Sequence, residues 1–191
     1  MGTPMESWPR RHRITVDEYY RMAEIGVLAP DARVELIEGE IVDVAPPGSV
    51  HGSIVDQLTW LLTQAVGRLA IVRVQGAVRL SEITEPQPDV ALLKPRADFY
   101  RHQQPFGTDT LLVIEVSDST LRYDREVKAA LYARYGAPEL WIVDVRHSQL
   151  LACRSPVDGE YREQTSIDRP GVIAVGDLPG VTVDLSALFE P

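Results

Sequence analysis

Leu111-Leu112-Val113-Ile114-Glu115-Val116 is the stretch that decides the fold. Apart from Glu115 it is wholly apolar and rich in branched side chains, so it reads as a strand buried inside a sheet. Glu115 is the exception. An ionised carboxylate in a sheet interior is costly unless a positive group meets it. Upstream, Pro88-Asp89 opens a second strand-like run, Val90-Ala91-Leu92-Leu93. If the two strands are neighbours, two carboxylates converge at one end of the sheet. That outlines a divalent-metal site, with Lys128 to supply the remaining charge.

Working outward, Thr15-Val16-Asp17-Glu18 reads as a capping box and predicts a helix over 16–24 that stops at Gly26. Residues 34–44 carry two apolar runs on either side of Glu38-Gly39, which predicts a β-hairpin with Gly39 free to take a positive φ. Ile54, Leu58, Leu61, Leu62, Ala65, Val66 and Leu69 fall at helical spacing over 51–69. Strand-like runs follow at 71–80, 89–93 and 111–117, the last two separated by a loop with Pro95, Pro105 and Gly107. Asp124 can cap a helix over 125–135, closed by Gly136. Residues 140–145 read as another buried strand, and 149–154 with 160–165 as a hairpin around Asp158-Gly159. The C-terminal segment reads as a Pro- and Gly-punctuated loop with a short turn at 186–189. This order defines an α/β (α+β) fold: a mixed central sheet flanked by helices, with an N-terminal β-hairpin. It occupies a single domain over 14–191, preceded by a disordered basic arm over 1–13.

The bulk properties agree. A chain of 191 residues, 45% hydrophobic and 25% charged, is long enough for one sizeable core. It has no apolar run near the length of a membrane span and no secretory h-region, and Glu6 stands where a myristoylation motif needs Ser or Thr. Cys153 is its one cysteine, which excludes an intrachain disulfide and points to the cytoplasm. The net charge of −9 argues against a broad, non-specific nucleic-acid surface. It leaves open a local one, because carboxylates that bind a cation also count towards that total.

Asp89, Glu115 and Lys128 form the first chemical constellation. Two hard oxygen donors on adjacent strands suit Mg²⁺ or Mn²⁺. Two carboxylates about 4 Å apart would repel by roughly 4 kcal/mol at an effective dielectric of 20, which a divalent cation removes. The bland alternative has Asp89 capping a turn after Pro88, Glu115 paired with an arginine and Lys128 solvated, with Lys128 and Asp124 as an i,i+4 surface pair. Glu35 and Glu40 on the hairpin are candidate further acids, or simply solvated charges. His51 stands before a helix and can reach the site from its N-terminus, or serve as a cap-region residue. Lys128 and Tyr132 are four apart and share a helix face. There is no Walker A loop, G-x-G-x-x-G, G-x-S-x-G or C-x-x-C, so a nucleotide cofactor has no foothold.

Six motifs in order carry a family resemblance: Glu35-Leu36-Ile37-Glu38-Gly39-Glu40; Pro46-Pro47 with His51; Pro88-Asp89-Val90; Ile114-Glu115-Val116-Ser117; Asp124 with Lys128; and Tyr135-Gly136-Ala137-Pro138-Glu139-Leu140-Trp141-Ile142-Val143-Asp144. Over residues 14–185 the chain resembles the Uma-two endonuclease family of the PD-(D/E)xK restriction-endonuclease-like superfamily. The resemblance implies that superfamily's mixed sheet and a Mg²⁺- or Mn²⁺-dependent endonuclease acting on DNA. It implies Asp89 and Glu115 as metal ligands, with the Val116 backbone carbonyl as a third. It implies Lys128 as the catalytic lysine, because the usual position two residues after the second acid is Ser117. Glu35 or Glu40 takes the place of a further acid, with His51, Ser117 and Tyr132 as accessory residues. The resemblance also implies a homodimer. The alternative is a non-catalytic dimeric binding or scaffold protein that keeps the nuclease fold.

Overall fold

The computed structural model describes residues 10–190. Helix α1 (Val16–Glu24) opens with the capping box: the Glu18 N–H donates to Thr15 Oγ1, and the Thr15 N–H donates back to Glu18 Oε2 at 2.8 Å. Strands β1 (Val34–Ile37) and β2 (Glu40–Asp43) form the hairpin, with Glu38 and Gly39 both at positive φ, 52° and 79°. Gly39 is required twice over, since a side chain there would also collide with Arg13. Arg13 packs across the hairpin and donates to the Glu38 carbonyl at 3.1 Å. Of the expected basic arm, residues 1–9 lie outside the described residues, and the chain is docked on the hairpin by Arg13.

Helix α2 (Ser49–Val66) is followed by β3 (Ile71–Val74), β4 (Val90–Leu93), β5 (Thr110–Ser117), β6 (Glu139–Asp144), β7 (Gln149–Val157) and β8 (Glu160–Asp168). These six strands form one sheet in the order β3-β4-β5-β6-β7-β8. The β5–β6 pair is parallel and the other pairs are antiparallel. A small antiparallel pair, β9 (Val172–Ala174) and β10 (Thr182–Asp184), closes the chain. The sequence assigned this region to loop because strands this short, interrupted by Pro and Gly, carry no readable period. The expected strand over 71–80 ends at Val74, where Gln75 takes a positive φ and the chain leaves the ladder.

The sheet is covered on both faces, which is why its central strands are apolar throughout. Leu58 and Leu62 of α2 pack with Val90, Leu92, Leu112 and Ile114 on one face. Leu131 and Tyr132 pack with Ala91, Leu93, Val113 and Ile142 on the other. By this alternation Glu115 falls on the second face, with Val113.

The helix on that second face differs from the expected one. It is built of α3 (Leu121–Tyr123), a π-helical turn (Asp124–Lys128) and α4 (Ala129–Arg134), with right-handed helical backbone at each junction. Asp124 is therefore not an N-cap. It lies inside the helix, its N–H donates to the Thr120 carbonyl at 3.0 Å, and its carboxylate accepts from Thr120 Oγ1 at 2.6 Å and Ser117 Oγ at 2.7 Å. The helix starts early because residues 117–124 already offer this side-chain tie between the end of β5 and the first turn. In the π turn the Ala129 N–H bonds the Asp124 carbonyl five residues back. The extra residue widens the turn and buries Asp124 and Lys128 together.

Candidate active site

The register of β4 on β5 pairs Val90 with Ile114 and Ala91 with Val113, so one further step sets Asp89 opposite Glu115. Asp89 lies just beyond the ladder. Its Oδ2 accepts from the Val116 N–H at 2.8 Å and pairs with His51 Nε2 at 3.2 Å. On the other edge of β5, the Ser117 carbonyl accepts from Val145 of the β6 side. Backbone groups alternate along a strand, so the Val116 N–H and C=O both turn to the side where Asp89 stands. These groups border a cleft of about 510 Å³ that is also lined by Glu35, Lys128, Tyr123 and Gln87.

Lys128 is the centre of the site. Its Nζ donates to Glu35 Oε1 at 3.0 Å and to Glu115 Oε1 at 3.1 Å, and all three residues are at most 6% exposed. The bland reading of Lys128 as a solvated partner of Asp124 fails, because the π turn carries it inward. The same Glu35 oxygen, Oε1, also accepts from the Gln87 N–H at 3.0 Å, which fixes the carboxylate. Glu115 Oε1 takes a further bond from the Tyr132 hydroxyl at 2.7 Å. Burial opposes the charge on Lys128, but the carboxylates of Glu115 and Glu35 outweigh it and hold the ammonium protonated, well above the usual lysine range. Burial also pushes the Glu115 carboxyl well above the ordinary carboxylate range; Lys128 opposes this, and Asp124, Asp89 and Glu35 add to it. The His51 imidazole is raised by its bond to Asp89, against its own burial. The site therefore gathers four acids, Glu35, Asp89, Glu115 and Asp124, around one lysine.

This donor set fits a hard divalent cation. Glu115 commits only Oε1 and Asp89 only Oδ2 to hydrogen bonds among the described residues, which leaves one oxygen of each for another ligand. The side-chain donors are two rather than three: no group of three or more His, Cys, Asp or Glu residues is arranged to hold a metal ion among the described residues. A backbone carbonyl would have to complete the set.

The structure brings together Asp89, Glu115, Val116, Lys128, Glu35, His51, Ser117 and Tyr132. It separates the two hairpin acids: Glu35 enters the cleft, whereas Glu40 is exposed at the start of β2 and does not line it. The hairpin register puts both acids on one face, Glu35 opposite Val42 and Glu40 opposite Ile37, but Glu40 stands at the turn end, beyond Val42 and Asp43 that border the cleft. Sequence reasoning missed the tie of Asp124 to Ser117 and Thr120, although the i,i+4 spacing of Thr120 and Asp124 was a usable signal. It also missed Tyr123, whose hydroxyl is buried without a partner among the described residues.

A mixed sheet with an acid pair at the end of two adjacent strands and a buried lysine bonded to one of the two defines a restriction-endonuclease-like protein. The chain belongs to the Uma2 family, whose model, described as "Putative restriction endonuclease", matches residues 16–186. Among solved structures it is similar to a "putative nuclease belonging to DUF820" from Anabaena variabilis. That likeness has a TM-score of 0.71 at 17% identity and covers 92% of this chain and 97% of the other, so it speaks for the fold. No curated protein matches the chain. No helix among the described residues is long and apolar enough to cross a membrane.

Proposed function

We propose that the protein is a divalent-metal-dependent endonuclease that hydrolyses DNA phosphodiester bonds in the Glu35–Asp89–Glu115–Lys128 cleft. One observation carries the reading: Lys128 Nζ lies 3.1 Å from Glu115 although it comes from a helix and not from the strand position held by Ser117. Asp89, Glu115 and the Val116 carbonyl would hold Mg²⁺ or Mn²⁺. When bound, the ion supplies Lewis acidity at a phosphoryl oxygen and lowers the pKa of a water.

The chain's own groups do the rest. Lys128 is protonated, so it serves as a hydrogen-bond donor and positive charge, not as a general base. Its ammonium has three donors, of which Glu35 and Glu115 take two. The third is left for the cleft that Lys128 lines, where it would orient the attacking water or meet the charge that develops on the phosphoryl oxygens. Glu35 positions Lys128, and His51 positions Asp89. Ser117 keeps the helix on β5 through Asp124.

The test is incubation of the protein with plasmid and single-stranded DNA, with Mg²⁺, Mn²⁺ or chelator. Cleavage should depend on the ion and be lost in Lys128→Ala. Full activity of that variant would sink the assigned role. The net charge of −9 favours the alternative, a dimeric scaffold that keeps the fold. A dimer by sedimentation, with no cleavage and no divalent-metal binding, would establish it.

A further inference from the structure

A second cavity, of about 380 Å³, opens beside Glu85 and is not part of the cleft described above. The two are close. Glu85 precedes Asp89 by four residues, a span of at most about 14 Å. Its N–H donates to the Leu36 carbonyl at 2.7 Å, on the strand that carries Glu35.

The cavity has an unsatisfied wall. Glu85 is 3% exposed; its Oε1 accepts from the Tyr20 hydroxyl at 2.5 Å, and its Oε2 is buried without a partner among the described residues. Arg79 lines the same cavity, and its Nε is likewise buried without a partner, while its Nη2 is taken by Glu82 at 2.9 Å. Two residues that line one cavity thus carry a buried acceptor and a buried donor without partners among the described residues. Leaving such groups unmade is costly, and the cost points to a ligand that presents a donor beside an acceptor.

The rim adds two further properties. Phe106, 41% exposed, and Tyr20, 41% exposed, offer aromatic surface. Of the basic residues on the loop over 94–104, Arg101 and His102 line the cavity, while Lys94 donates to the Thr108 carbonyl and Arg96 pairs with Asp98, on a chain whose net charge is −9. Arg96 and Arg73 lie over the Tyr100 ring at 4.8 and 5.8 Å from its centroid. Basic side chains interleaved with aromatics suit a strand of nucleic acid.

We propose that this cavity is a nucleobase pocket, which takes an unpaired base with its edge against Glu85 Oε2 and Arg79 Nε, its face against Phe106 and its phosphates on the 94–104 loop. The inference rests on the nuclease reading and deepens it: the substrate is a strand with an unpaired base a few nucleotides from the scissile bond. Every base presents a donor beside an acceptor on its Watson–Crick edge. Guanine presents two adjacent donors for the carboxylate as well as O6 for the arginine, so it fits best. In a duplex that edge is already paired, so the base must be single-stranded or extruded.

The experiment is calorimetric titration of the full chain with dGMP, dAMP, dCMP and TMP in chelator, where no cleavage is required. Saturable binding is expected, tightest for dGMP. Glu85→Gln should weaken it by about tenfold or more, and Phe106→Ala by about fivefold or more. Phe106 is exposed, so its variant decides the question even if Glu85→Gln does not fold. Absence of saturable binding by any nucleotide, or unchanged binding in a folded Phe106→Ala, overturns the proposal and leaves the cavity to water. The two readings separate cleanly. A protein that binds dGMP but cuts nothing overturns the nuclease alone, and one that cuts but binds no nucleotide overturns the pocket alone.

Discussion

Glu115 and Glu139 sit on adjacent strands of one sheet, are 3% and 1% exposed, and have opposite fates. Glu139 is fully engaged. Its Oε1 accepts from Trp141 Nε1 at 2.8 Å and pairs with Arg154 Nη2 at 2.6 Å, and its Oε2 accepts from the Gly176 N–H at 2.7 Å. Glu115 shares its lysine with Glu35, faces Asp89 and leaves one oxygen without a bond among the described residues. A buried acid with both oxygens answered is structural: it fixes β6, β7 and the Gly176 turn relative to one another. A buried acid left in excess over its cations marks a place where a further positive charge is to be received.

The comparison breaks first at Glu139. Replacing it by Ala should destabilise the fold by about 2–4 kcal/mol in denaturant unfolding, because Trp141 Nε1 and the Gly176 N–H lose their acceptor, while cleavage per folded molecule stays the same. Lys128→Ala also costs stability, since Glu35 and Glu115 lose their shared cation, so its effect is read per folded molecule. Cleavage should fall by roughly 10²- to 10³-fold in a plasmid-nicking assay, the scale seen when one transition-state donor is removed. A drop in cleavage for the Glu139 variant that outruns its loss of folded protein would show that the two acids are not functionally distinct. Next in size is Asp124→Ala, which frees the Ser117 and Thr120 hydroxyls. It should cost about 1.5–3 kcal/mol in the same unfolding measurement and lower cleavage in step, since the turn that carries Lys128 inward loses its tie to β5.

This contrast was only half visible in the sequence. Asp89 and Glu115 stood out because charge interrupted apolar strand runs, and the strand register then follows from period and pairing alone. The hairpin, the capping box and the α2 face were legible for the same reason: each is a local pattern. Glu139, in contrast, reads as an ordinary acid at a strand start. Its partners lie fifteen and thirty-seven residues away in sequence, at Arg154 and Gly176, and no period links them. The π turn was equally hidden. It depends on one extra residue in the helix, held by a side-chain tie from Ser117 and Thr120 to Asp124, and Asp124 looked instead like a cap. Lys128 could be named beside Asp89 and Glu115 from the residues and given its role by the resemblance, but its burial between Glu35 and Glu115 came from the structure.

The smallest effect tests the same idea through pH. Burial holds the Glu115 carboxyl above its ordinary value of 4.5, so the folded chain keeps a proton that the unfolded chain has released. The folded state then binds more protons than the unfolded one. Stability contributed by this group must fall as pH rises from the ordinary carboxylate range through the raised folded value. Glu115→Gln removes the titration. Unfolding free energies measured in chelator at several pH values should show a negative slope in the native chain and a flatter one in the variant, which should be neutral or about 1 kcal/mol more stable at pH 7. Millimolar Mg²⁺ should flatten the native slope and leave the variant unchanged, because an added cation compensates Glu115 only while its charge is there. If Glu115→Gln instead lost several kcal/mol, as Glu139→Ala is expected to, Glu115 would be a structural acid like its neighbour, and the case for a cation at this end of the sheet would fall with it.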